Sequence, residues 1–219
     1  VQKDLAFMAE VKRALGFEAE VLNMGGGFGI WYTDEDAKID VSGYREYLRA
    51  LLAAVREGCR EYGLKLPFIN IEPGRSIVGE AGITLYTVGA IKEIPGIRKY
   101  LAIDGGMFDN PRYALYQSKY TAVLANRANE TPTEIVALAG KCCESGDLIG
   151  TEFNLPKAKI GDLVAVLSTG AYNYSMASNY NRNFIPAAVL VKDGKAEYIV
   201  KPQTYEDLVR NDMIPERLK

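Results

Sequence analysis

Apolar residues recur at helical spacing in two early stretches of the chain and at sheet-like spacing through most of the remainder. From Asp4 to Leu15, the residues Leu5, Met8, Val11 and Leu15 fall on one stripe and Gly16 ends the run, so a helix is expected there. A longer helix is expected from about Tyr44 to Tyr62, where Tyr44, Leu48, Leu51, Leu52, Val55 and Cys59 hold the same period. Ser42 is a suitable N-cap for it and Gly63 a suitable stop. Short apolar runs at 19–23 and 67–71 read as strands, so residues 1–81 take the order helix, strand, helix, strand, the order of parallel βα units. From Gly82 the pattern changes. Runs at 83–94, 99–103, 120–124, 134–138, 163–167, 186–191 and 196–200 are β-rich and separated by glycine, proline and polar loops, and only 205–209 reads as helical. Residues 82–219 are expected to form a mostly antiparallel β domain, with the boundary near 80–84.

Each strand of the first part empties into an unusual loop. The first leads into Asn23-Met24-Gly25-Gly26-Gly27-Phe28-Gly29, the second into Glu72-Pro73-Gly74-Arg75-Ser76. Consecutive glycines allow positive φ and lay the backbone bare, and N–H groups converging there suit a phosphate. The spacing is neither the dinucleotide fingerprint nor a P-loop, and a tight structural turn is the simpler reading of such a run alone. Two neighbouring strand ends shift the balance. One is glycine-rich and the other offers Gly, Arg and a carboxylate, which is how a barrel builds a phosphate site.

Composition narrows the function classes. A chain of 219 residues holds one large or two small domains, and 48% hydrophobic with 25% charged residues is ordinary for a globular protein. A net charge of −2 leaves no broad footprint for nucleic acid or an anionic membrane. No apolar run approaches the roughly 18 residues of a membrane span, and no signal peptide opens the chain. Three cysteines, two of them adjacent, make a poor disulfide framework and point to a reducing compartment, so a cytoplasmic protein is expected. With no histidine, the chain holds no His-based triad and no His-ligated metal, and no metal is expected. The first residue is Val1, which suggests a processed chain or a piece of a longer one.

The second part keeps its unusual residues in three loops: Asp104 to Arg112 with Tyr116 beyond it, Gly140 to Asp147, and Gly170 to Ala177. Singly, each reads as turn punctuation or core filler. Together with the two barrel loops they form an ordered set. Asn23 to Gly29, Glu72-Pro73-Gly74-Arg75, Asp104-Gly105-Gly106 with Asn110-Pro111-Arg112, Cys143-Glu144-Ser145-Gly146-Asp147 and Gly170-Ala171-Tyr172 occur in this order, and in them the chain resembles the diaminopimelate decarboxylase family. These are pyridoxal-phosphate enzymes of the alanine-racemase-like fold, grouped with ornithine and arginine decarboxylases. Phe108 and Tyr113 depart from the family pattern but only flank the motif residues.

The resemblance implies the C-terminal part of a (β/α)8 barrel followed by a β domain. It also implies that the lysine carrying the cofactor lies on barrel strands outside these residues, so the isolated chain is expected to be inactive. Cofactor contacts fall by resemblance to Gly25, Gly26, Gly27, Glu72, Gly74, Arg75 and Tyr172, with Glu72 against the ring nitrogen and the others around the phosphate. Arg112 and Tyr116 are expected to hold a substrate carboxylate, with Arg75, Glu144 and Tyr172 also facing the substrate. Cys143 is the expected proton donor, and the family places its loop across a homodimer interface. The expected reaction is decarboxylation of meso-2,6-diaminopimelate to L-lysine. Two alternatives stay open: decarboxylation of another basic amino acid (ornithine, arginine or a carboxylated polyamine such as carboxynorspermidine), and a non-catalytic binding or regulatory protein.

Overall fold

Amphipathic helices build the first part. The structure, a computed structural model describing all residues Val1–Lys219, divides into two compact units, Val1–Glu80 and Ala81–Lys219. In the first, α1 (Gln2–Leu15) ends at Gly16 in the left-handed conformation, its N–H returning to the Lys12 carbonyl. After strand β1 (Val21–Asn23) come α2 (Val41–Tyr62), β2 (Phe68–Asn70) and the one-turn helix α3 (Gly74–Val78). The core lies where α1 meets α2. Leu5, Val55 and Cys59 are buried there, with Met8, Leu22, Tyr62, Leu64 and Ile69 packed around them. Full burial of a side chain such as Leu5 or Val55 stabilises by roughly 1.5–3 kcal/mol. β1 and β2 pair in parallel, Val21 opposite Phe68 and Asn23 opposite Asn70, so both strand ends open at the same edge. Leu22 and Ile69 turn toward the helices, while Val21 and Phe68 stay exposed on the face that a closed barrel makes its interior.

The second unit is a six-stranded sheet with a separate hairpin. Its elements are β3 (Thr84–Ile94), β4 (Arg98–Ile103), α4 (Arg112–Tyr116), β5 (Ala122–Leu124), β6 (Glu134–Ala139), β7 (Leu148–Leu155), β8 (Leu163–Val166), α5 (Asn173–Met176), β9 (Ala188–Lys192), β10 (Lys195–Val200) and α6 (Tyr205–Val209). The sheet order is β5-β8-β3-β4-β6-β7, and β9 pairs only with β10. Val88, Leu101, Val136, Leu138, Ile149, Val164 and Val166 are almost wholly buried, which makes the centre of this sheet the core.

Several elements differ from the sequence reading. Asp40, not Ser42, caps α2: its carboxylate accepts from Gly43 N–H at 2.9 Å, and Ser42 falls inside the first turn. β4 and β6 run parallel, so the sheet is mixed, with antiparallel pairs elsewhere. β7 escapes the sequence pattern, because Gly150 and the polar Thr151, Glu152 and Asn154 break its apolar run and the pairing with β6 shifts register beside Gly150. α3, α4 and α5 are single turns, too short for periodicity to reveal.

Candidate active site

The parallel pairing of β1 and β2 sets the glycine loop beside Glu72. Asn23 works in both directions there: its amide donates to Glu72 Oε1 at 2.8 Å and its carbonyl accepts from Gly25 N–H at 2.8 Å. The Glu72 N–H returns to the Gly25 carbonyl at 2.8 Å, closing the two loops on each other. Gly25 and Gly27 have φ of +68° and +79°, which side chains resist. The N–H of Gly25 bonds Asn23 inside the loop, while those of Gly26 and Gly27 have no acceptor within the chain. Arg75 reaches the Phe28 carbonyl at 3.4 Å and lies 5.9 Å from the Tyr32 ring, and its buried Nε is unpartnered. Gly74 opens α3. A bare loop with two open donors, a carboxylate whose second oxygen accepts nothing within the chain, and an orphaned guanidine nitrogen fit a phosphorylated, ring-bearing cofactor.

The packing gives a direct test. A Cβ on Gly26 would run into the backbone carbonyl oxygen of Glu72, a rigid neighbour that cannot turn aside. Gly26→Ala in the full-length enzyme is expected to weaken cofactor affinity at least about tenfold, a loss of about 1.4 kcal/mol. Spectroscopic titration of the apoenzyme with pyridoxal phosphate checks this, and unchanged affinity would separate the loop from the cofactor.

In the second unit, Arg112 begins α4 and is held by aromatic neighbours. One guanidinium nitrogen donates to Tyr120 Oη at 3.0 Å, and the group lies 5.2 Å from the Tyr172 ring. Tyr172 has φ of +71° and ψ of −47°, and Asn173 N–H closes on the Ala171 carbonyl at 3.0 Å. This is a γ-turn centred on a tyrosine, a strained backbone of the kind found at ligand clamps. Tyr116 lies four residues beyond Arg112, on the same helical face, and is 64% exposed.

A buried carboxylate ties the Arg112 loop to the cysteine loop. Asp147 accepts from Met107 N–H and from Cys142 N–H, each at 2.6 Å. Beside it, burial pushes the Asp109 carboxyl up to about 6, against the opposing pull of the Tyr86 hydroxyl and the Gly106 N–H. The same fold separates the two adjacent thiols. Burial, with Asp147 nearby, pushes Cys142 up to about 11, and its sulfur accepts from Asn183 at 3.5 Å. Cys143 is exposed. Glu144 sits beside it, with Oε1 accepting from Gly146 N–H at 3.1 Å and Oε2 from the Tyr180 hydroxyl at 3.4 Å.

The structure therefore groups the expected residues in three places. Gly25, Gly26, Gly27, Glu72, Gly74 and Arg75 share the β1/β2 edge, Arg112 and Tyr172 touch, and Cys143 and Glu144 share a loop. The sequence pattern does not single out Asn23 or Tyr120, although Asn23 stands within the glycine motif. No metal-binding cluster of acidic and cysteine residues is present, and no helix is long and apolar enough to cross a membrane.

Comparison with known proteins places the chain in a family. The family described as "Pyridoxal-dependent decarboxylase, C-terminal sheet domain" matches residues 17–170. The diaminopimelate decarboxylase of Bacillus subtilis is 53% identical over 204 residues, which is 93% of this chain and 46% of that protein. That of Halalkalibacterium halodurans is 49% identical over 213 residues, 97% of this chain and 48% of that protein. The diaminopimelate decarboxylase of M. jannaschii, solved in co-complex with L-lysine, superposes with a TM-score of 0.82 at 33% identity, covering all of this chain and 48% of that one. The chain spans about half the length of the curated relatives it matches. Its fold is the C-terminal part of a (β/α)8 barrel followed by a mostly antiparallel β domain. The chain belongs to the pyridoxal-dependent decarboxylases that carry this C-terminal sheet domain.

Proposed function

We propose that this chain forms the C-terminal half of a cytoplasmic, homodimeric diaminopimelate decarboxylase, which converts meso-2,6-diaminopimelate to L-lysine with pyridoxal phosphate. The observation that carries the substrate assignment is Arg112, a guanidinium set over the Tyr172 ring with Tyr116 one turn further on the same face. Relatives of that name, about half identical across nearly the whole chain, support it.

Pyridoxal phosphate, when bound, accepts the electron pair left at Cα as carbon dioxide departs. The residues of this chain do the rest. Gly26 and Gly27 offer N–H groups to the phosphate, with Gly25 shaping the turn and Gly74 and Arg75 at the same strand edge, and by the family resemblance the Tyr172 hydroxyl would add a further donor to it. Glu72, oriented by Asn23, favours the protonated ring nitrogen. Arg112 and Tyr116 take the far carboxylate of the substrate, Arg75 contacts the substrate only by the family resemblance, and Glu144 takes the far ammonium. Cys143 gives its thiol proton to Cα and regains one from water. The adjacent Cys142 is held protonated and half-buried, so the exposed Cys143 is the thiol suited to this work. Cys143 and Glu144 serve the partner subunit's site.

Subunit mixing tests this reading. Full-length Cys143→Ala subunits, and subunits lacking the cofactor lysine, are each expected to make almost no lysine from meso-diaminopimelate. Their mixture regains a substantial fraction of wild-type activity, because one hybrid site receives both intact groups. Wild-type enzyme that yields no lysine overturns the function, and verified hybrids without activity place Cys143 in its own subunit's site.

A further inference from the structure

Residues beyond 170 lie outside the family match, yet they hold the cysteine loop. The turn Asn179–Asn183 supplies three contacts to it. Asn181 Oδ1 accepts from Cys143 N–H at 2.9 Å, the Tyr180 hydroxyl reaches Glu144 at 3.4 Å, and the Asn183 amide reaches Cys142 Sγ at 3.5 Å. The turn is itself unusual. Asn181 and Arg182 are consecutive non-glycine residues at positive φ, +51° and +57°. Side chains other than Asn and Asp rarely adopt this conformation, so the surroundings must hold it. They do so through the C-terminal segment: Arg182 donates to the Leu208 carbonyl at 2.6 Å and to Asp212 at 3.1 Å. Gln203 Oε1 accepts from Asn179 at 2.6 Å and from Ile185 N–H at 2.7 Å.

A left-handed Asn, braced on one side and bonded to the backbone of Cys143 on the other, has a geometric task. We propose that Asn181 is a positioning residue, fixing the backbone of Cys143 so that the thiol meets Cα at the moment of proton transfer. This rests on Cys143 as the proton donor. The contact is made by the main-chain N–H of the cysteine and leaves the thiol itself unengaged by Asn181, so it sets position and not acidity. A misplacement of about 1 Å can cost as much as a hundredfold in rate, so one backbone bond at this site suffices to matter.

Two variants separate the bond from the backbone strain, since Gly and Asp both tolerate positive φ. Asn181→Gly in the full-length holoenzyme removes the acceptor, and Asn181→Asp restores it. In Asn181→Gly, kcat is expected to fall about tenfold or more with KM within about twofold, while bound-cofactor absorbance stays unchanged. The Cys143 amide exchanges its hydrogen at least about tenfold faster in this variant, because its acceptor is gone. In Asn181→Asp both quantities return to within about threefold of wild type. Wild-type kcat and exchange in Asn181→Gly would overturn the proposal, as would Asn181→Asp behaving like Asn181→Gly. Amide exchange is read without substrate, so if wild-type enzyme proves inactive on diaminopimelate, the decarboxylase reading falls while exchange still decides whether Asn181 holds the loop.

Discussion

Glu72→Gln in the full-length enzyme is expected to keep its pyridoxal phosphate and to lose about a hundredfold or more of kcat. The two halves of this result have separate physical origins. Glu72 shapes the glycine loop through its backbone, whose N–H bonds the Gly25 carbonyl and whose carbonyl packs against Gly26. The substitution leaves both untouched. Its side chain accepts from Asn23 through Oε1, and the amide oxygen of a glutamine can accept the same bond. What would disappear, on the proposed role of Glu72, is the negative charge that favours the protonated ring nitrogen, and with it much of the capacity to take up electrons from Cα. Absorbance of the bound cofactor and the initial rate of lysine formation measure the two halves independently. Near-normal kcat would show that Glu72 serves only to hold the loop.

Local patterns were legible in the sequence and pairings across the chain were not. The stripe through Leu5 and the period through Val55 and Cys59 predict α1 and α2 because a helix repeats within a few residues. Asp40 capping in place of Ser42 moves the start of α2 by one turn at most, a choice between two good caps that spacing alone does not decide. The strand runs of the second unit were readable one at a time. Their order was not, because the parallel pairing of β4 with β6 joins residues such as Leu101 and Leu138 across an intervening helix and strand. The site divides in the same way. Motif residues stood out only as an ordered set resembling a known family: three glycines after a strand, Arg112 after Asn-Pro, two adjacent cysteines. Their holders did not. Tyr120 bears on Arg112 through a fold-dependent contact, and Asn181 reaches Cys143 across 38 positions of sequence. Which of the two cysteines stands open to solvent also depends on burial, which neighbouring identical residues cannot reveal.

Removing Arg112 is expected to cost diaminopimelate decarboxylation at least about a hundredfold in kcat/KM, and to do so without creating a good lysine or ornithine decarboxylase. Diaminopimelate carries an ammonium and a carboxylate at its far end, whereas lysine and ornithine carry only the ammonium. On the proposed assignment, a guanidinium prearranged by Tyr120 and Tyr172 would pair with that carboxylate by charge-assisted hydrogen bonds. When the substrate lacks a carboxylate there, the guanidinium loses that partner, at a cost of roughly 2–5 kcal/mol. Arg112→Ala removes both the attraction and the penalty. It lowers the rate on the right substrate far more than it raises the rate on the wrong one, because a small side chain offers the far ammonium nothing new.

The measurement that bears most directly on this account is the kcat/KM of full-length wild-type enzyme for meso-diaminopimelate against L-lysine and L-ornithine, with product identified by mass. The expected result is L-lysine from diaminopimelate, with the other two substrates at least about a hundredfold poorer. Comparable values for diaminopimelate and ornithine would contradict it and move the enzyme among the sister decarboxylases.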